Sequence, residues 1–295
     1  MTPITEVEGR RLALSNLEKV LYPATGTTKG EVLHYYARTA GPLLAHVAHR
    51  PISFLRYPDG PGGQHFFTKN PPPGTPGWVR IADVPRSGGE RAAPQVVVDD
   101  LATLMWAANL VVEFHTPQWR AATPALADRL VLDLDPGPPA TAVECCGVAL
   151  WLRERLDADG IHACVKTSGS KGLHVLAPLE PTPSTDVSAY AKRLAVEAEA
   201  ALPALVVHRM NRALRPGKVF VDHSQNAAAK TTAAPYTLRA RPEPTVSTPV
   251  SWDEIASCTA AGQLVFRLDD LTGRLERYGD LLAPLNDPGL AGRLG

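Results

Sequence analysis

Residues 129–137 read RLVLDLDPG, and this stretch limits what the chain can fold into more than any other. Leu130, Leu132 and Leu134 alternate with Val131, Asp133 and Asp135, and Pro136-Gly137 ends the run. Alternation with a period of two marks a β-strand whose one face is turned to a core. The leucines pack inward. The two aspartates leave the other face together, with Cα atoms roughly 6.5–7 Å apart. Such a pair suits divalent cations, because hard ions take oxygens from several residues. The same residues also make an ordinary solvated strand end, since Asp before Pro-Gly is common in turns.

Around this strand, helical and extended segments are intermixed, which argues for an α/β or α+β fold. Thr28-Lys29-Gly30-Glu31 fits a capping box, and Leu33, Tyr36, Ala37, Ala40 and Leu44 behind it form a helical apolar stripe. Strands are expected at 52–57 (ISFLRY), 111–115 (VVEFH), 163–168, 173–177 and 218–222. Helices are expected over 100–110, 141–157 and 186–202, and a further helical segment from Trp252. With 295 residues, no internal repeat and no clear linker, one catalytic unit spanning 1–295 is expected, with room for two lobes.

Formal net charge is +0, so any nucleic-acid role must rest on local clusters of Lys and Arg. The four cysteines have no C-x-x-C spacing, which argues for reduced thiols and against ligation of metal by sulfur. MTPITEVEGRRLALSNLEKV lacks the apolar core of a signal peptide, and no apolar run is long enough to span a bilayer. The expected location is the cytoplasm.

Three further stretches bear on the aspartate pair. KVFVDHSQN brings Asp222 to the end of a second alternating run, and a third carboxylate is what a two-metal phosphoryl-transfer centre needs. TSGSKGLHV offers Ser168, Lys171 and His174 around glycines that permit close backbone approach. Backbone N–H groups and a lysine at such a turn can cradle phosphate, although Gly-Ser-Lys-Gly is also a plain solvated turn. It is not a Walker loop, because G-x-x-x-x-G-K-S/T is absent. Arg209, Arg212, Arg215, Lys218, Lys230, Arg239 and Arg241 gather downstream, as a solvated face or as the grip on a triphosphate or nucleic-acid backbone. His115 ends its strand as a cleft residue or a structural one.

DLDPG, TSGSKGLH, VFVDHSQN and KTTAAPYTLRARPEPTVSTPVSWDEI, in this order, resemble the polymerase domain of bacterial ATP-dependent DNA ligase D, of the archaeo-eukaryotic primase superfamily. The likeness runs from about Leu14 to about Leu285. The resemblance implies a primase-polymerase fold, a central and largely antiparallel mixed sheet flanked by helices, with the active site in a basic cleft. It implies that Asp133, Asp135 and Asp222 hold two Mn²⁺ or Mg²⁺ ions. By the same matching, Ser168, Lys171 and His174 contact the incoming nucleotide, and His115, Lys230, Arg239 and Arg241 surround its sugar or triphosphate. Lys19 and Lys29 match residues that grip a 5′-phosphate on the downstream strand, and Phe66-Phe67 match an aromatic pair at the template.

The implied activity is templated addition of NTPs, ribonucleotides preferred, to a primer 3′-hydroxyl at gaps and broken ends in non-homologous end joining. Gap filling in excision repair and a non-catalytic DNA-end-binding module are the alternatives. DNA with a 5′-phosphate, NTPs, Ku and a separate DNA ligase are the implied partners, at the bacterial nucleoid. Two departures stand out. The family usually has Tyr where this chain has His223, and no K-x-D-G ligase nucleophile or phosphoesterase domain is evident. A stand-alone version or an excised domain is therefore expected.

Overall fold

The computed structural model describes residues 4–85 and 92–295. The chain forms two compact units, one of residues 1–116, 233–247 and 266–279, the other of residues 117–232, 248–265 and 280–295. The mixed, largely antiparallel β-structure flanked by helices that the sequence suggests is present, with a six-stranded sheet in each unit. ISFLRY and VVEFH pair with each other, and RLVLDLDP pairs with the segments that follow it.

In the second unit the aspartate-bearing strand, Leu126–Pro136, is central. It pairs antiparallel with Leu173–Pro183 on one side and Val219–Asp222 on the other. Cys164–Thr167 and Pro249–Val250 extend the sheet beyond the first partner, antiparallel throughout, while Val206–Val207 adds a parallel edge beyond the second. Leu130, Leu132 and Leu134 are all fully buried. Each contributes about 1.5–3 kcal/mol by leaving water. Helices Ala142–Ala158 and Ser184–Ala201 pack on this sheet. The first is capped as its sequence directs, the Thr141 side chain and Glu144 closing a reciprocal box. Val131, on the aspartate side, is covered by Leu282 and Leu285. A 3₁₀ turn of the C-terminal segment, Ala283–Asn286, thus lies against that face at Val131.

In the first unit, Pro51–Arg56 lies between Val112–Thr116 and Ala93–Val97, and Phe66–Thr68 pairs with its C-terminal half. Phe54 and Phe114 sit opposite each other and turn to the core. There Tyr36 of helix Lys29–Arg38 meets Phe114 edge-on at 5.4 Å, and Trp106 of helix Leu101–Ala108 meets Phe54 at 6.4 Å. The Thr28/Glu31 capping box is formed. Among the described residues, no helix is long and apolar enough to cross a membrane.

Candidate active site

The register of the second unit's sheet brings its carboxylates together. Asp133 lies directly opposite Asp222 on one side and His174 on the other. Directly opposed residues of antiparallel strands share a face, and Asp135, two residues along, shares it too. Like charges directly opposite each other destabilise a sheet. Burial and then the Asp133 charge push the Asp135 carboxyl above its ordinary value; Lys171 and Arg215 pull it down and Asp222 adds to the rise. His174 Nε2 stands 3.4 Å from Asp133 Oδ1.

Asp222 is held by its own turn. Its Oδ1 accepts from the Ser224 backbone N–H at 3.0 Å and the Ser224 hydroxyl at 2.6 Å, and its Oδ2 from Gln225 Nε2 at 2.8 Å. That turn is tied to the aspartate strand by Asn226. The Asn226 amide accepts from Val131 N–H at 2.9 Å and donates to Val131 C=O at 2.7 Å, standing in for the next residue of a neighbouring strand. The strand carrying Asp222 stops where this pairing takes over, so no backbone polar group of Val131 is left buried and unpaired.

The hairpin turn meets the same strand closely. A Cβ on Gly172 would fall 1.9 Å from Leu134 O, so only glycine lets the turn approach. Ser168 Oγ accepts from the Ser170 and Gly172 N–H groups, both at 3.2 Å, and Lys171 Nζ donates to Pro136 O at 3.0 Å. Lys171 is thereby stationed at the end of the aspartate strand. Lys230 is exposed in the loop after Asn226. Of the downstream cluster, Arg209 pairs with Glu199, and Arg215 lies over the Phe220 ring within reach of Asp135's field. His223, half-buried beside Asp222, has its pKa lowered by burial, with His208 and Lys192 acting in the same sense against the Asp222 charge.

Among the described residues, no three His, Cys, Asp or Glu side chains are drawn into a ready-made metal cage. Asp222 is turned to Ser224 and Gln225. The donor set nevertheless fits hard divalent cations. Its groups are carboxylate oxygens, one of them oriented by hydrogen bonds, and the repulsion among them is what such a cation relieves.

The first unit carries a second constellation. Glu113 and His115 share the sheet face opposite Phe114, and Phe67 joins them, its ring edge-on to His115 at 6.5 Å. Phe66 is the strand neighbour of Phe67 and points the other way, so the aromatic pair is divided by the strand's alternation; both rings are half-exposed. Glu113 is buried and was not singled out by sequence reasoning, although its two-residue spacing from His115 placed the two on one face. Its Oε2 accepts from Arg239 Nε at 2.8 Å and lies 3.2 Å from His115 Nε2; its Oε1 accepts from the Ala240 N–H at 2.7 Å. Burial raises this carboxyl, but the His115 and Arg239 contacts outweigh it and bring the pKa down to about 2. Arg241 is exposed two residues on.

Lys19 and Lys29 also meet. Lys29 N–H donates to Lys19 O at 2.8 Å, and Lys29 begins the capped helix. Lys19 Nζ pairs with Asp59 at 2.6 Å, while Lys29 Nζ lies 3.5 Å from Ser15 Oγ. Burial, with the Lys19 charge beside it, lowers the Lys29 pKa to about 8. Lys29 thus opens the helix, while the Lys19 ammonium is engaged with Pro58 O at 2.8 Å as well as with Asp59.

A family model described as the LigD primase-polymerase domain matches residues 28–282. The multifunctional non-homologous end joining protein LigD of Mycolicibacterium smegmatis is 42% identical over 280 residues, covering 94% of this chain and 36% of that protein. The bifunctional LigD of Bacillus subtilis is 28% identical over 272 residues, 91% of this chain and 43% of that protein. The chain thus spans well under half the length of these relatives. Among solved structures, the polymerase domain from Mycobacterium tuberculosis Ligase D in complex with DNA superposes with a TM-score of 0.88 at 41% identity, covering 94% of this chain and 98% of that one.

Proposed function

Because this chain belongs to the LigD primase-polymerase family, we propose that it is a DNA-directed nucleotidyltransferase that extends a primer 3′-hydroxyl with NTPs, ribonucleotides preferred, at gaps and broken ends during non-homologous end joining. The observation that carries this reading is the register that sets Asp133 opposite Asp222 with Asp135 beside them. Such a concentration of like charge costs stability and is explained by a cationic ligand. Asp133, Asp135 and Asp222 would hold Mn²⁺ or Mg²⁺. Bound there, such ions lend Lewis acidity to the attacking hydroxyl and to the triphosphate.

The chain's own groups do the rest. Lys171, fixed by Pro136 O, meets the charge that grows on the leaving phosphates, and Ser168 holds the turn that carries it. His174 steadies Asp133. Arg239, Arg241, His115 and Lys230 keep, as proposals, the nucleotide-side roles that the family likeness implies. Phe67 and Phe66 offer faces on which template bases stack, worth about 1–3 kcal/mol per base without sequence preference. Lys19 and Lys29 receive a 5′-phosphate. Ku and a separate ligase are the proposed protein partners, in the bacterial cytoplasm at the nucleoid.

The test is a gapped duplex bearing a 5′-phosphate, with NTPs and Mn²⁺. Extension is expected from the unaltered protein and none from Asp133→Ala plus Asp135→Ala; retained extension in that variant refutes the assigned site. A second reading, a DNA-end-binding module without catalysis, is favoured by the adjacency of Lys19 and Lys29. It requires end binding with no extension by the unaltered protein.

A further inference from the structure

Glu113 is only 3% exposed, yet it carries a negative charge in contact with two residues from the proposed nucleotide set. We propose that Glu113 is a positioning residue: its carboxylate fixes the Arg239 guanidinium and the His115 ring in the orientation that receives the NTP. The inference rests on the polymerase reading above.

The geometry gives each oxygen a task. As an anion, Glu113 can only accept, so the 3.2 Å contact makes His115 Nε2 a donor and sets the ring's orientation and tautomer. Arg239 is gripped through Nε at 2.8 Å, at the stem side of its guanidinium, so the plane is fixed. The other oxygen takes the Ala240 N–H at 2.7 Å and fixes the backbone just after Arg239. That backbone is held from two more directions. Tyr22 OH donates to Arg239 O at 3.2 Å, and Arg239 N–H donates to Thr245 O at 2.8 Å. A simple charge neutraliser needs none of this. A surface ion pair would leave the arginine mobile, and the order stored here is what a ligand would otherwise have to impose.

The test is a double-mutant cycle in the gap-extension assay. In Glu113→Gln one end of the amide still accepts from Ala240, but its NH₂ confronts the donors of Arg239 or His115. The KM for NTP is expected to rise at least tenfold with kcat changed less than threefold. With Arg239→Ala as background, the same substitution should raise KM several-fold less than it does in the unaltered protein, because only His115 is left to hold. Arg239→Lys covers the case in which Glu113→Gln fails to fold. Lysine can satisfy Glu113 but cannot serve Glu113 and a phosphate at once, so KM should rise about as far as in Arg239→Ala. An unchanged KM in Glu113→Gln, effects that multiply across the cycle, or a normal KM in Arg239→Lys overturns the positioning role while leaving the polymerase reading intact. Absence of extension by the unaltered protein removes the polymerase reading, and this inference with it.

Discussion

The two units treat buried negative charge in opposite ways. In the second, Asp133, Asp135 and Asp222 share one sheet face, and burial, with the neighbouring carboxylates adding to it, pushes the Asp135 carboxyl above its ordinary value. In the first, Glu113 is more deeply buried but surrounded by donors, and its carboxyl is brought down to about 2. A carboxylate already satisfied by its own chain acts as a fixture. Carboxylates gathered against their own repulsion are what the proposed cation would relieve.

The largest effect expected from this contrast is catalytic. Asp133→Ala plus Asp135→Ala should lower extension by at least about 10³-fold, the scale on which loss of preorganised charge stabilisation is felt. The same change should leave the protein as stable as before or slightly more so, by up to about 1 kcal/mol, because like charges are removed. A clear loss of stability in thermal melts would break the contrast.

Next in size are the two devices that hold the receptor in place. Gly172→Ala should destabilise by about 2–4 kcal/mol in denaturant titrations, since its Cβ would meet Leu134 O at 1.9 Å and the turn must withdraw. Asn226→Ala leaves Val131 N–H and C=O buried without the amide, at a cost of about 1–3 kcal/mol for each group. Extension should fall in both beyond what lost stability explains, because the hairpin and the Asp222 turn are displaced.

Acid titration sharpens the comparison with a smaller signal. Glu113 binds its proton more weakly when folded, so its contribution is fully present above its unfolded pKa and is lost as pH falls from about 4.5 toward about 2. Asp135 binds its proton more strongly when folded, so the penalty it brings is relieved as pH falls through its raised pKa. Melting temperature against pH should therefore steepen less at low pH in Glu113→Gln. In Asp135→Asn it should show a gain at neutral pH that disappears on acidification.

The smallest effect concerns Lys29. With its pKa near 8, the discrimination between 5′-phosphate and 5′-hydroxyl ends should weaken a few-fold between pH 7 and pH 9, measured by end-binding affinity at constant salt. An undiminished preference would show that Lys19 alone carries the phosphate.

Much of the second unit was legible in the sequence, because its signals are local. D-L-D gives one face by alternation, Gly172 marks a close approach, and Thr141 and Glu144 announce the helix behind. The pairing of Asp133 with Asp222 lies 89 positions along the chain, and register at that range is not written in either strand. The first unit hid more. Glu113 reads as one polar residue in VVEFH until Arg239 arrives from 126 residues away. Asn226 looks like turn chemistry, and only the folded sheet reveals that its amide continues a strand. The opposite aim of Phe66 and Phe67 could have been read from alternation alone, had the short strand been recognised.

Mn²⁺ binding, followed by electron paramagnetic resonance in the presence of NTP, compares the unaltered protein with Asp222→Asn. Tight, saturable Mn²⁺ uptake is expected from the unaltered chain, with a loss of at least tenfold in affinity when Asp222 loses its charge. Equal uptake by both proteins would contradict the convergence of the three carboxylates on a shared cation site.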